Sequence, residues 1–410
     1  VLKAASKPAI PQTVWMLGFV SLFMDMSSEL VHSVLPVFLV STLGASVMAV
    51  GVIEGVAEAA TLVARVFSGA ISDHFRRRKG LLLLGYGIAA LTKPLFPLAT
   101  SVETVFIARF LDRIGKGIRG APRDALVADV AHQANRGACF GLRQSMDTVG
   151  AFLGPSVAVL MMSWFTSDLR LVLWFAVVPA GITVLLIAFG VEDPRTLSAR
   201  EGFGSPIRLD VLKEFSGGYW RVVVIGAFFT LARFSEAFLV LRAQEAGFAI
   251  KWVPLVMIVM SLAYAISAYP AGILSDRVNR RYLLAVGIIL LIAADLVLFG
   301  ANAPPIVLVG VALWGLHMGC TQGILAAMIA ETTPTELRGT AFGLFNLASG
   351  LFMLLASVIA GGLWEMSGPE TTFVAGAVLS LAALVMLISL APPCPIAKAS
   401  AAPAKGAVEK

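Results

Sequence analysis

The chain has 410 residues, of which 58% are hydrophobic and only 14% charged, and its mean hydropathy is +0.87. Soluble domains carry about 25% charged residues, so this composition excludes a soluble enzyme or a nucleic-acid-binding domain. The formal net charge of +6 is then a property of loops at a membrane surface, and no nucleic-acid partner is expected.

Apolar runs between polar breaks predict membrane-spanning helices near 13–40, 47–71, 80–99, 104–128, 138–165 and 169–190. A second set lies near 221–246, 252–274, 282–300, 305–330, 341–364 and 371–391. Each is near the ~20 residues that cross a bilayer core, and continuous apolar runs of this length satisfy their backbone in lipid only as helices. The first run is too long for a signal-peptide core and is expected to be retained.

An ionisable residue at bilayer depth is costly and normally faces a cavity or a partner. The first predicted span places Ser21, Asp25, Ser28, Glu29 and His32 on one face, followed by Pro36. The second holds Glu54, Glu58 and Arg65, and the third Lys93. On the fourth, Arg109, Asp112, Arg113, Lys116, Arg119, Arg123 and Asp124 fall within about 140° of arc at 3.6 residues per turn. That stripe has to line a wet cavity or a helix interface. Asp112, Arg113 and Lys116 lie at mid-span, whereas Arg123 and Asp124 lie near one rim.

Arg143 and Asp147 on the fifth span are four apart and can pair, and the same span carries Gly150, Gly154 and Pro155, which permit close packing or a bend. The second half is poorer in charge: Arg233, Glu236 and Arg242 on the seventh span, with the first two expected to pair, and Asp295 on the ninth. Ion handling is therefore expected mainly in the first half. His317, Met318 and Cys320 on the tenth span point in different directions, so no metal or other cofactor is expected. The three cysteines form no pairing pattern.

Alternate loops and both tails contain 19 of the 31 Lys and Arg residues, the opposite loops 2, and the spans 10. By the positive-inside rule both termini are expected in the cytoplasm. The sequence also repeats. "GAISDHFRRRK" starts at Gly69 and "GILSDRVNRR" at Gly272, 203 residues on; Asp129, Arg136 and Gly141 recur 202 residues on as Glu331, Arg338 and Gly343. The expected organisation is a six-helix half over 1–190, a cytoplasmic linker over 191–220, a second six-helix half over 221–391 and a disordered tail over 392–410. Such duplication marks many transporters, with the binding site between the repeats.

With these landmarks the chain resembles the major facilitator superfamily over nearly its whole length. Gly69, Asp73, Arg77 and Arg78 match the family's loop after the second span, with departures at His74 and Arg76; Gly272, Asp276, Arg277 and Arg280 match its counterpart, with Asn279 at a glycine position. Arg109 matches in the fourth span, where Arg113 replaces a glycine, and Gly150-x-x-x-Gly154-Pro155 resembles a segment associated with export. The stretch "DRIGKGIRGAPRDALVAD" is similar to a bacterial branch of unassigned substrate. The resemblance implies an all-α fold of twelve spans in two pseudo-symmetric six-helix bundles, located in the cytoplasmic (inner) membrane. It implies a cytoplasmic gate at Gly69, Asp73, Arg77, Asp276 and Arg280 that is made and broken as the halves rock. It also places the first and fourth spans together at a central cavity, where their acidic and basic stripes would face one another.

The resulting expectation is secondary active transport of a small solute, driven by protons, with Asp25, Glu29, Asp112 and Arg109 in coupling. His32, Arg113, Lys116, Arg143, Asp147, Arg233 and Glu236 are expected around the solute, and Gly150, Gly154 and Pro155 at a packing or hinge contact. The reading leans to efflux of a cationic or amphipathic compound; a small organic or inorganic anion is the alternative. No Walker loop and no nucleophile–base or metal set supports ATP use or a membrane-embedded enzyme.

Overall fold

A computed structural model describes residues 9–75, 78–132, 135–192, 209–275, 278–334 and 337–390. Among them lie α1 (Gln12–Val37, extended by a π turn over Phe38–Thr42), α2 (Val47–Phe75), α3 (Arg78–Thr92) and α4 (Val102–Val130). They are followed by α5 (Arg136–Trp164) and α6 (Leu169–Gly190). The second set is α7 (Gly217–Glu245), α8 (Leu255–Ser275), α9 (Arg280–Phe299), α10 (Pro304–Glu331), α11 (Arg338–Ser367) and α12 (Pro369–Leu390). Among the described residues, eleven helical segments are long and apolar enough to cross a membrane. The exception, α4, has 29 residues and ample length; its charged stripe lowers its apolarity. The chain is a multi-pass integral membrane protein with the expected all-α architecture. The expected tail and most of the linker lie outside the described residues.

Local signals explain several helix starts. Ser101 accepts from the Thr104 backbone N–H, Ser216 from Tyr219, and Asn279 from Arg281, satisfying donors that a helix N-terminus leaves open. Gly44 at φ +67° makes the tight passage from α1 to α2, and Gly368 at φ +88° that from α11 to α12. Both occupy the left-handed region that glycine enters without a Cβ clash.

The packing repeats as the sequence does. In the first half α2 and α3 pack on α4, α3 on α6, and α1 on α5 and α6; in the second, α8 and α9 pack on α10, α9 on α12, and α7 on α11 and α12. Even the close approaches recur: Gly85 lies against Arg119 and Gly287 against Thr321, both pairs 202 residues apart. Two interhelical ion pairs follow the same rule, Arg78–Asp129 and Arg280–Glu331.

The halves meet along α2 and α11, with smaller contacts of α5 with α8 and α1 with α7. Gly51 packs on the Ser357 carbonyl, Gly55 on Leu354, and Gly361 on Met48. At the same end, where α1 passes into α2, Gln244 Nε2 donates to Ser41 Oγ at 2.9 Å and the Met48 N–H to Glu365 Oε2 at 3.3 Å. The molecule is closed at this face. A side chain at Gly51 would overlap backbone, and such overpacking costs about 1–3 kcal/mol. Gly51→Val is therefore expected to reduce disulfide formation between Ser41→Cys and Gln244→Cys, whose side chains meet across the same end, by about threefold or more, measured with the native cysteines replaced by serine. Unchanged cross-linking would contradict this account of the closed face.

Candidate functional site

The α4 stripe is distributed over three environments. On the side packed against α2, Arg109 donates to Glu54 through Nε at 3.0 Å and Nη2 at 2.8 Å, with the two side chains 0% and 1% exposed. His32 of α1 approaches the same Glu54 at 3.8 Å and Glu29 at 3.5 Å. On the side facing α3, Lys93 donates to Asp112 at 2.8 Å and to Ser28 Oγ at 3.1 Å, entirely buried. Arg113 pairs with Glu58 at 3.3 Å.

Toward the end of α4 nearer the chain termini, Arg119 reaches Asp25 at 3.7 Å and its guanidinium lies 4.5 Å from the centre of the Tyr86 ring. Arg123 bonds to Ser21 Oγ at 3.2 Å and meets Asp147 at 3.5 Å. Asp147 also takes a 2.5 Å bond from Arg143, which bonds to Gln144 as well. The acidic stripe of α1 thus meets the basic stripe of α4 only at Asp25 and Ser21. The counter-charge for Arg109 and Arg113 comes instead from Glu54 and Glu58 of α2. Close backbone approach makes this possible: Gly117 of α4 sits on the Thr61 carbonyl and Ala64 of α2, and Gly115 on Gly85 of α3.

Two cavities lie between the halves. The inner one, about 220 Å³, is bordered by Glu29, His32, Glu54, Glu58, Arg113 and Lys116 from the first half and by Arg233, Phe234, Glu236 and Gln322 among others from the second. The other, about 460 Å³, lies further toward the termini and is bordered by Asp25, Lys116, Arg119, Arg123, Asp147 and Tyr264 among others. Lys116 and Gln322 face both.

The seventh span opens onto the inner cavity because its helix is interrupted. Its first part ends at Ala232, its second begins at Ala237, and Arg233 adopts φ −109°, ψ 88°. Arg233 and Glu236 border the cavity without the mutual ion pair expected from their spacing. Among the described residues, Lys116, Arg233 and Glu236 have no ion-pair partner within 4 Å, whereas Asp25, Glu29, Glu54, Glu58, Arg113, Arg119, Arg123 and Asp147 are all paired.

Of the residues expected in coupling, Asp25 and Glu29 border a cavity, while Asp112 and Arg109 are sealed into interhelical pairs. Of those expected around the solute, His32, Arg113, Lys116, Asp147, Arg233 and Glu236 border a cavity; Arg143 stands behind Asp147. Gly150 lies on the Leu22 carbonyl and Gly154 on Met26 and Leu30, so both hold α5 against α1. Of the expected gate, Arg77 and Asp276 lie outside the described residues, as do the side chain of Asp73 and the surroundings of Gly69; Arg280 bonds to Glu331 within its own half. Sequence reasoning does not single out Gln322, Glu54, Glu58 or the α7 break as site features. The acids carry a signal, their four-residue spacing on α2; the break has only the charges at Arg233 and Glu236 to mark it.

A family model described as Major Facilitator Superfamily matches residues 17–249 and 241–409. An uncharacterised MFS-type transporter of Methanocaldococcus jannaschii is 32% identical over 387 residues, covering 92% of this chain and 95% of the relative. A probable 4-methylmuconolactone transporter of Cupriavidus pinatubonensis is 27% identical over 317 residues, 74% and 72% of the two chains. Among solved structures, a point mutant of the nucleoside transporter NupG superposes with a TM-score of 0.78 at 14% identity, covering 92% of this chain and 99% of that one.

Proposed function

The chain belongs to the major facilitator superfamily, and from that premise we propose that it is a proton-coupled secondary transporter of a small, polar, anionic or zwitterionic solute. Transport by a membrane protein of this family, and not enzymatic chemistry, is the established part. The observation that supports the solute class is the residual charge of the cavity. Lys116 and Arg233 face it from opposite halves with no ion-pair partner among the described residues, and the one carboxylate left over is Glu236. A site for an amphipathic drug would be lined mainly by apolar and aromatic groups, whereas these walls are mostly charged. That contrast favours the anion over the efflux of a cationic compound. Gly150 and Gly154 have a sufficient role in holding α5 to α1, so they give no transport direction. The named 4-methylmuconolactone transporter is compatible with a small organic solute.

The basic loops support termini on the cytoplasmic side of the inner membrane, so the closed face is external and the larger cavity lies toward the cytoplasm. The halves 1–190 and 221–391 are the units that rock, with the glycine-lined α2–α11 seam as one axis of contact. In coupling, Asp25 and Glu29 are the carboxylates of α1 that border a cavity and also touch a basic partner, at Arg119 and His32. A proton would compete with those partners as the cavity changes sides.

Purified protein in liposomes, tested on a panel of anionic, zwitterionic, cationic and neutral solutes with and without an imposed pH gradient, checks this directly. Accumulation of an anion or zwitterion only under the gradient is expected. Asp25→Asn and Glu29→Gln are expected to lower that accumulation at least about tenfold while preserving gradient-free exchange. Selectivity for cations would overturn the solute class, and full gradient-driven activity in both variants would overturn the coupling residues.

A further inference from the structure

Sequence places ion handling in the first half, yet the second half holds a carboxyl group with an environment found nowhere else among the described residues. Asp295 of α9 is 0% exposed, and neither of its carboxylate oxygens has a hydrogen-bond partner. It lies against the bare Cα of Gly376 on α12, where a Cβ would collide with its Oδ2. The third group at that spot is the ring edge of Phe234. An unpaired carboxylate costs far more to bury than a carboxylic acid, and this pocket offers neither a counter-charge nor a hydrogen bond to offset that cost.

Phe234 has two faces. It borders the inner cavity, and it lies beside Asp295 near Gly376. It also sits in the non-helical interruption of α7, where its backbone can rotate without breaking a helical hydrogen-bond ladder. We propose that Asp295 is a second proton-carrying site, separated from the cavity by the Phe234 ring and opened to it when α7 moves at its break. In that step the O–H bond of the acid breaks, the proton passes to cavity water, and the carboxylate becomes hydrated; reclosure requires a proton to return.

The surroundings favour a proton over a metal cation. A bound cation of the usual kind needs about six oxygen ligands, whereas the groups that meet Asp295 at Gly376 are a glycine and a phenyl ring, and neither carboxylate oxygen has a polar partner. The charged groups of the packed elements are engaged elsewhere among the described residues. On α7 Arg233 and Glu236 turn to the cavity, and Arg242 bonds to the Leu298 and Phe299 carbonyls one turn along α9 and to Glu245. On α12 the same helical face continues to Ser380, buried with its hydroxyl unpartnered. On α10 the ionisable neighbour is His317, which lies beyond Trp314: the ring centres are 5.2 Å apart from Phe234 to Trp314 and 5.7 Å from Trp314 to His317. This site rests on the transporter reading only for its use, not for its existence, and its test needs no substrate.

Infrared spectroscopy of the purified chain in liposomes resolves the C=O stretch of protonated carboxyl groups. The wild-type chain near neutral pH is expected to show a carboxylic-acid band that shifts with [13C]aspartate labelling and vanishes in Asp295→Asn. On transfer to D2O this band is expected to shift slowly, and at least about tenfold faster in Phe234→Ala. It is also expected to diminish when the bath is raised to about pH 9, well above the ordinary carboxyl range. Absence of an aspartic-acid band in the labelled wild-type chain overturns the proposal even if Asp295→Asn fails to fold. An unchanged exchange rate in Phe234→Ala overturns the gate, and a band indifferent to pH in both chains makes Asp295 a fixed structural acid. Loss of transport in the liposome panel with the band behaving as expected would leave this site standing and count only against the solute reading.

Discussion

Arg109→Leu is expected to lower the thermal unfolding midpoint in detergent by roughly 3–6 °C and to cut the yield of monodisperse protein severely. The guanidinium is completely buried and bonded through two nitrogens to Glu54, which is 1% exposed. Removing one member of a buried pair strands the other, at a cost of about 3–5 kcal/mol, and at an unfolding entropy of about 2.1 cal/mol/K per residue a chain of this length loses roughly 1 °C per kcal/mol. His32 does not replace the lost partner, since it stands 3.8 Å from Glu54 and is shared with Glu29. The double exchange Arg109→Leu with Glu54→Leu removes both charges, so it is expected to recover more than half of the loss. A single variant as stable as the wild type would mean that water reaches Glu54, contrary to its burial.

Lys116→Gln and Arg233→Gln address the opposite case, cations without a protein partner. Neither exchange strands a counter-charge, so the unfolding midpoint is expected to stay within about 2 °C of the wild type. Their effect is expected on the solute. A hydrogen bond to a charged group contributes about 1.5–3 kcal/mol, so each exchange is expected to raise the half-saturation concentration for an anion by about 10- to 100-fold. Transport kinetics on the anion chosen by the liposome panel measure this, with a neutral solute as control. An equal loss for charged and neutral solutes would indicate a general defect in the conformational cycle instead.

Much of the fold was legible because its determinants are local. The length of each apolar run sets a helix, the alternation of basic loops sets a candidate orientation, and the 202-residue repeat anticipates the paired contacts Gly85–Arg119 and Gly287–Thr321. The α4 stripe was also legible, since seven charges on one arc cannot all face lipid. The partners were not. Glu54 and Arg109 are 55 residues apart and Lys93 and Asp112 are 19 apart, and no spacing rule joins residues on different helices. Proximity of α1 and α4 suggested that their stripes oppose each other; the glycine contacts bring α2 and α3 closer to α4, and these helices take Arg109 and Asp112 out of the cavity.

Sequence by itself therefore determined that this chain spans a membrane as two copies of one helical unit, because apolar length and repetition are properties of the chain alone. Which charges remain free was decided by tertiary structure. Arg109 and Lys116 sit two turns apart on the same helical face, yet one is buried against Glu54 and the other faces two cavities. The interruption of α7 and the isolation of Asp295 were settled in the same way. Both depend on what the neighbouring helices offer or withhold, and a buried polar group is defined by the partners around it.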